Sequence, residues 1–197
     1  CVDARPGQQV LDLCAAPGGK SLTLAECMQN QGKLISGEYV ESRVPLLRKA
    51  FARCGVTCAE AVQNDAAQLR SDWGKFDRIL CDVPCSGLRV IAKKPDIRYK
   101  DLDGIENLLL SQQKILQNGA DLLAENGRLV YSTCTVNRDE NEEQVRTFLK
   151  NNPRFHVAVP TLQLPGMQQG EYGTLFLPHK TATDGFFAAI LETESTQ

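Results

Sequence analysis

Val10-Leu11-Asp12-Leu13-Cys14-Ala15-Ala16-Pro17-Gly18-Gly19-Lys20-Ser21 is the stretch that decides the fold. Val10 to Cys14 reads as a strand, the small residues Ala15 to Gly19 as a tight loop, and Lys20 to about Gln29 as a helix. In such a unit the backbone comes close to a ligand, and the first N–H groups of the helix point at it. The loop is not G-x-G-x-x-G, so it lacks the dinucleotide fingerprint. Gly19-Lys20-Ser21 also lacks the upstream glycine spacing of a phosphate loop.

Working outward, Gly32 breaks the helix and Lys33 to Gly37 gives a second strand ending in Glu38. A carboxylate about 20 positions beyond the glycine loop, at a strand tip, can accept both hydroxyls of a ribose. Ser42 is placed to cap a helix that runs to about Cys54, with Val44, Leu47 and Phe51 on one face and Pro45 in its first turn. Ala59 to Gln63 forms a third strand that closes on Asn64-Asp65, where a carboxylate can accept from an adenine amino group. Phe76 to Cys81 is a fourth strand. It feeds Asp82-Val83-Pro84-Cys85-Ser86, a turn with a carboxylate and a thiol at the edge where open α/β sheets bind ligands.

Ile105 to Leu123 is helical, Asn126-Gly127 turns the chain, and Arg128 to Ser132 is a fifth strand that brings Thr133-Cys134-Thr135 to the same edge as Cys85. Asp139 opens a helix to about Lys150. Phe155 to Val159, Gly173 to Leu177 and Gly185 to Leu191 are later strands, the last two antiparallel. Strands alternating with helices predict an α/β fold: a mostly parallel, doubly wound sheet with an antiparallel edge.

At 197 residues, 42% of them hydrophobic and 23% charged, the chain is sized for a single soluble domain over 1–197. No apolar segment approaches the ~18–20 residues of a membrane span. Eight cysteines without a secretory signal fit reduced thiols in a cytoplasmic protein. The spacings Cys54/Cys58 and Cys81/Cys85 are not those of a zinc knuckle, and His156 and His179 lie far off, so no metal site is expected. The net charge of −2 gives no global attraction for nucleic acid. Locally, Arg89, Lys93, Lys94, Arg98 and Lys100 stand against Asp96 alone, which favours a phosphate-rich substrate.

A small-residue loop followed by acids for ribose and adenine fits a nucleoside cofactor without a pyrophosphate, and S-adenosylmethionine is the natural candidate. Read for themselves, Cys85 is either a nucleophile or a small packing residue, and Trp73, Tyr99 and Tyr131 are either base-stacking platforms or fill.

Asp12 to Lys20, Asp82 to Ser86 and Ser132-Thr133-Cys134-Thr135 together resemble the RNA cytosine-5 methyltransferases, the Sun/NOL/Nop2 group, in motif order and spacing. Lys94-Pro95-Asp96-Ile97-Arg98-Tyr99 and Asp184-Gly185-Phe186-Phe187 are similar to the bacterial members that modify small-subunit (16S) ribosomal RNA. The resemblance implies a Rossmann-like S-adenosylmethionine-dependent methyltransferase fold and an RNA partner. Cys14, Ala15, Ala16, Pro17, Gly18, Gly19 and Lys20 would line the methionine end of the cofactor, Glu38 its ribose and Asp65 its adenine. Asp82 would contact cofactor or base, and Lys20 would lie near the reacting base. Cys134 would attack carbon 6 of cytosine and Cys85 would assist release. Carbon 5 of cytosine is too weak a nucleophile to take a methyl unaided, and thiolate addition at carbon 6 activates it.

This chain departs from the family at three places. Glu38 stands where Asp is usual, Arg89 where Gly is usual, and Ala92 where Arg is usual. The resemblance implies N-terminal RNA-binding modules before the first motif, and none is expected within these 197 residues. Rival readings are a cofactor-binding domain inactive when isolated, a ribosome-assembly scaffold, and a small-molecule methyltransferase. A scaffold has no use for two placed thiols.

Overall fold

In β1 (Gln9–Asp12), β4 (Phe76–Asp82) and β5 (Leu123–Thr133), the segments Val10-Leu11, Ile79-Leu80-Cys81 and Leu129-Val130-Tyr131 are apolar throughout because they are covered on both faces. The period of two sorts them. Leu11, Ile79, Leu129 and Tyr131 point into one core, which also holds Ile115 and Leu116 of α3 (Ile105–Leu122) and Val145 and Phe148 of α4 (Glu142–Asn151). Val10, Leu80 and Val130 point to the other face, against Leu24 and Ala25 of α1 (Gly19–Cys27). A third cluster joins Val44, Leu47 and Phe51 of α2 (Val44–Arg53) to Ala15 and to Ala61 of β3 (Ala59–Gln63). The computed structural model describes residues 1–87, 104–161, 163–181 and 183–193.

β2 (Lys33–Glu38) and the later strands β6 (Phe155–Ala158), β7 (Gln168–Gln169), β8 (Thr174–Phe176) and β9 (Phe186–Thr193) complete one sheet in the order β3-β2-β1-β4-β5-β9-β8-β7. β3 to β5 pair in parallel. β9 inserts antiparallel beside β5 and pairs antiparallel with both β6 and β8, which is the antiparallel edge that the strand pattern predicts. The one-turn helix α5 (Pro178–Thr181) lies between β8 and β9. The chain leaves β1 in one direction to build β2 and β3 and in the other to build β4 and β5. The switch point therefore falls between β1 and β4, where ligands bind in sheets of this kind.

Three local expectations are corrected. Ser42 does not cap α2: it lies in a 3₁₀ turn, Glu41–Arg43, and the helix begins at Val44 with no side-chain cap. Pro45 tolerates that start because a first-turn residue needs no N–H partner. Asp139 does not open α4 either. It belongs to a second 3₁₀ turn, Arg138–Glu140, capped by Asn137, and the α-helix starts at Glu142. Finally, β5 extends back to Leu123. The Asn126-Gly127 turn survives inside it as an irregularity, because Phe76 and Arg78 of β4 pair with Leu123 and Arg128. Asn126 takes a φ of 58° there, a left-handed conformation that asparagine tolerates.

Candidate active site

The sheet register brings the site together. Asp12 pairs with Leu80, and Asp82 with Ser132, so the carboxyl ends of β1, β4 and β5 finish side by side. Beyond them lies a cavity of about 510 Å³, within the range of small-molecule sites. Cys14 and Ala16 line it from the β1 loop, Glu38 from β2, Asp65 from beyond β3, Asp82 and Cys85 from beyond β4, and Cys134 from beyond β5. The rest of the predicted glycine-loop set does not line this cavity. Ala15 packs into the α2 core, the Ala16–Pro17 peptide is cis, and Gly18 takes a φ of +107°, with a hypothetical Cβ 3.0 Å from Leu47. Only glycine meets both demands at that position.

Each acid is held in place. The Glu38 carboxylate accepts from the backbone N–H groups of Ala16 and Val40, at 3.3 and 2.9 Å, and Arg43 stands 3.6 Å away. Asp65 folds back on its own loop, accepting from the N–H of Ala67 and the amide of Gln68. Asp82 accepts from Lys20 Nζ at 2.7 Å and from Ser132 Oγ at 2.7 Å, so one carboxylate joins the glycine loop to β5. Lys20 and Gly19 border a neighbouring cavity of about 340 Å³ with Ser132 and Phe186, and the Lys20–Asp82 pair links the two spaces.

The two motif cysteines meet. Cys85 Sγ and Cys134 Sγ are 2.9 Å apart, close enough to share a proton. The Cys134 sulfur and then burial push the Cys85 thiol well above the ordinary cysteine range. Either sulfur can be the donor in this contact. Cys14 also faces the cavity, but burial pushes its thiol up, which makes it a poor nucleophile.

The aromatic candidates divide. Tyr131 is wholly buried, its hydroxyl donating to the Glu140 carbonyl at 2.7 Å, so it is a core residue and not a stacking platform. Trp73 carries the Arg70 guanidinium on its ring. Tyr99, the basic run and the departures at Arg89 and Ala92 lie outside the described residues.

Sequence reasoning passed over Asp12, Gln112, Glu140 and Asn141, all buried beside the site. Asp12 accepts from Ser21 Oγ, which in turn receives Ser36 Oγ, tying β1, α1 and β2 together. Burial pushes its carboxyl up to about 6. Glu140 and Asn141 sit in the run Asp139-Glu140-Asn141-Glu142-Glu143, whose composition reads as a solvated helix start. Their distance of six or seven positions from Cys134 was the available signal.

A mostly parallel sheet in this order, with acids on successive strand ends around a switch-point cavity, defines the Rossmann-like fold of the S-adenosylmethionine-dependent methyltransferases. The profile of the family described as 16S rRNA methyltransferase RsmB/F matches residues 1–192, and the chain belongs to that family. It is 40% identical over 195 residues to a probable ribosomal RNA small subunit methyltransferase B of Bacillus subtilis, covering 94% of this chain and 43% of that protein. The crystal structure of PH0851 superposes with a TM-score of 0.90 at 34% identity, over 98% of this chain and 44% of that one. The structure of NSun6 from Pyrococcus horikoshii with SFG gives 0.84 at 30% identity, over 94% and 48%. The chain thus spans less than half the length of each of these relatives.

Proposed function

We propose that residues 1–197 form the catalytic domain of an RNA cytosine-5 methyltransferase acting on small-subunit (16S) ribosomal RNA. The observation that carries this reading is the pair of sulfurs 2.9 Å apart at the ends of β4 and β5, beside the cavity. A methyltransferase for oxygen or nitrogen acceptors needs no such pair, whereas carbon 5 of cytosine needs a nucleophile to activate it.

The cavity fits S-adenosylmethionine by its donor set. Glu38 would offer carboxylate oxygen to a ribose and Asp65 to an adenine amino group, while Cys14 and Ala16, with Gly19 and Lys20 at the adjoining cavity, would meet the methionine end. When bound, that cofactor supplies an electrophilic methyl group. Cys134, as thiolate, adds to carbon 6 of the cytosine, and the electron pair of the 5,6 double bond becomes available at carbon 5. Charge that develops at N3 needs a proton donor, a role that Lys20 and Asp82 would share, the ammonium donating and the carboxylate holding it in place. After transfer, Cys85 as thiolate takes the carbon 5 proton and becomes the thiol, the C–H electron pair re-forms the 5,6 double bond, and the bond from carbon 6 to sulfur breaks so that Cys134 leaves as thiolate. The shared-proton contact gives this sequence its geometry: Cys85 is already the partner of the sulfur that must be expelled.

The test is a pair of variants assayed with S-adenosylmethionine and 16S ribosomal RNA. Cys134→Ala is expected to abolish both methylation and covalent capture of RNA. Cys85→Ala is expected to leave a protein–RNA adduct that survives denaturing electrophoresis. An adduct from Cys134→Ala and none from Cys85→Ala would reverse the assignment. Bisulfite sequencing of the product RNA tests carbon 5 of cytosine as the acceptor.

A further inference from the structure

Glu140 is fully buried, and the reaction as described makes no use of it. Desolvating a carboxylate costs several kcal/mol, so a position needing only packing is better served by an apolar residue. The partners of Glu140 show where that cost is offset. Oε2 accepts from the Ser86 N–H at 2.8 Å and Oε1 from Ser86 Oγ at 2.5 Å. Ser86 directly follows Cys85. Gln112 of α3 donates to the same carboxylate and to the Pro84 carbonyl, so both neighbours of Cys85 are anchored to one buried polar group.

Asn141, also fully buried, does the equivalent for the other thiol. Its Oδ1 accepts from Thr133 Oγ1 at 2.5 Å and its Nδ2 donates to the Thr135 carbonyl at 3.0 Å. Those two residues flank Cys134. A break between the 3₁₀ turn and α4, with Asn141 at φ −112° and ψ −101°, separates this pair from the helix that follows. The adjacent residues thus hold different loops, one the Cys85 turn and the other the Cys134 strand end, and the two loops touch where Ser86 Oγ and Thr135 Oγ1 lie 3.1 Å apart.

We propose that Glu140 and Asn141 are positioning residues with separate duties, Glu140 fixing Cys85 for the release step and Asn141 fixing Cys134 for the addition step. This rests on the two-thiol reading above. A thiol misplaced by about 1 Å can cost on the order of 100-fold in rate, so each loss should reproduce, in weaker form, the loss of the cysteine it serves.

The experiment compares Glu140→Gln and Asn141→Ala with Cys85→Ala and Cys134→Ala, measuring adduct fraction and single-turnover methyl transfer on 16S ribosomal RNA. Ser86→Ala and Thr133→Val remove one partner from each side and serve should a buried substitution unfold the chain. Glu140→Gln and Ser86→Ala are expected to raise the adduct fraction about tenfold, with methyl transfer within about twofold of the parent. Asn141→Ala and Thr133→Val are expected to slow transfer about 10- to 100-fold without adduct accumulation and with unchanged KM for S-adenosylmethionine. A merely structural role would lower both readouts together in all four variants. That result, or no change in any folded variant, overturns the proposal. Should the two cysteine variants exchange phenotypes, the assignment of thiol roles fails. The inference still stands or falls on whether Glu140→Gln follows Cys85→Ala and Asn141→Ala follows Cys134→Ala.

Discussion

Asp12 sits at the end of β1 with no exposure to solvent, accepting from Ser21 and linked through it to Ser36. Burial moves its carboxyl from 3.8 to about 6. The native state therefore binds the extra proton between those values. The contribution of Asp12 to stability is full below about pH 3.8, declines as pH rises, and is lost above about pH 6. Asp12→Asn removes that penalty and is expected to stabilise the protein at pH 7.5 by up to roughly 3 kcal/mol, with little gain near pH 4. Urea unfolding at the two pH values checks this, and an equal gain at both would mean that ionisation is not the source. Asp65 gives a binding prediction. Asp65→Asn keeps an oxygen for the Ala67 N–H but loses the charge that the proposed site would offer to adenine. It should weaken S-adenosylmethionine binding about tenfold in calorimetry, and unchanged affinity would remove Asp65 from the adenine site.

α3 shows how closely a helix can be seated on the sheet. Gly119 is buried in its last turns, and a Cβ there would lie 2.9 Å from both Cys81 Sγ and Leu129 Cδ1. Helix propensity favours Gly119→Ala by about 1 kcal/mol, while overpacking against two buried strand residues costs about 1–3 kcal/mol. The net expectation is destabilisation of up to about 2 kcal/mol, measurable by chemical denaturation; a stabilised variant would show that the helix can lift without cost. At this scale the sequence was legible where hydrophobic periodicity spoke. The five parallel strands, to within two residues at their carboxyl ends, and the long helix follow from it, and so does the arrival of Cys85 and Cys134 at one sheet edge. Two helix starts were not legible, because Ser42 and Asp139 are good capping types that tertiary packing left in 3₁₀ turns. Glu140 was hidden for a related reason. Four acids in five residues look solvated, and nothing local tells which of them turns inward.

In the whole molecule, one sheet carries both the cofactor-side acids and the two thiols, so ligand binding should stabilise all of it. At 100 times its Kd, a ligand adds about 2.7 kcal/mol, which for a domain of this size is about 5–10 °C in Tm. S-adenosylmethionine or its demethylated product should produce such a shift, and ATP at the same concentration should not; an equal response to both would count against a dedicated methionine subsite. The distances along the chain between groups that touch have a further consequence. Lys20 and Asp82 are 62 residues apart, Cys85 and Cys134 are 49, and Ser86 and Glu140 are 54. No fragment of local structure contains a working part of the site. A chain being synthesised holds Cys85 for about fifty residues before Cys134 exists, and Asn141 follows seven residues later. On the two-thiol proposal, capture of RNA would therefore begin only once the release thiol is already present.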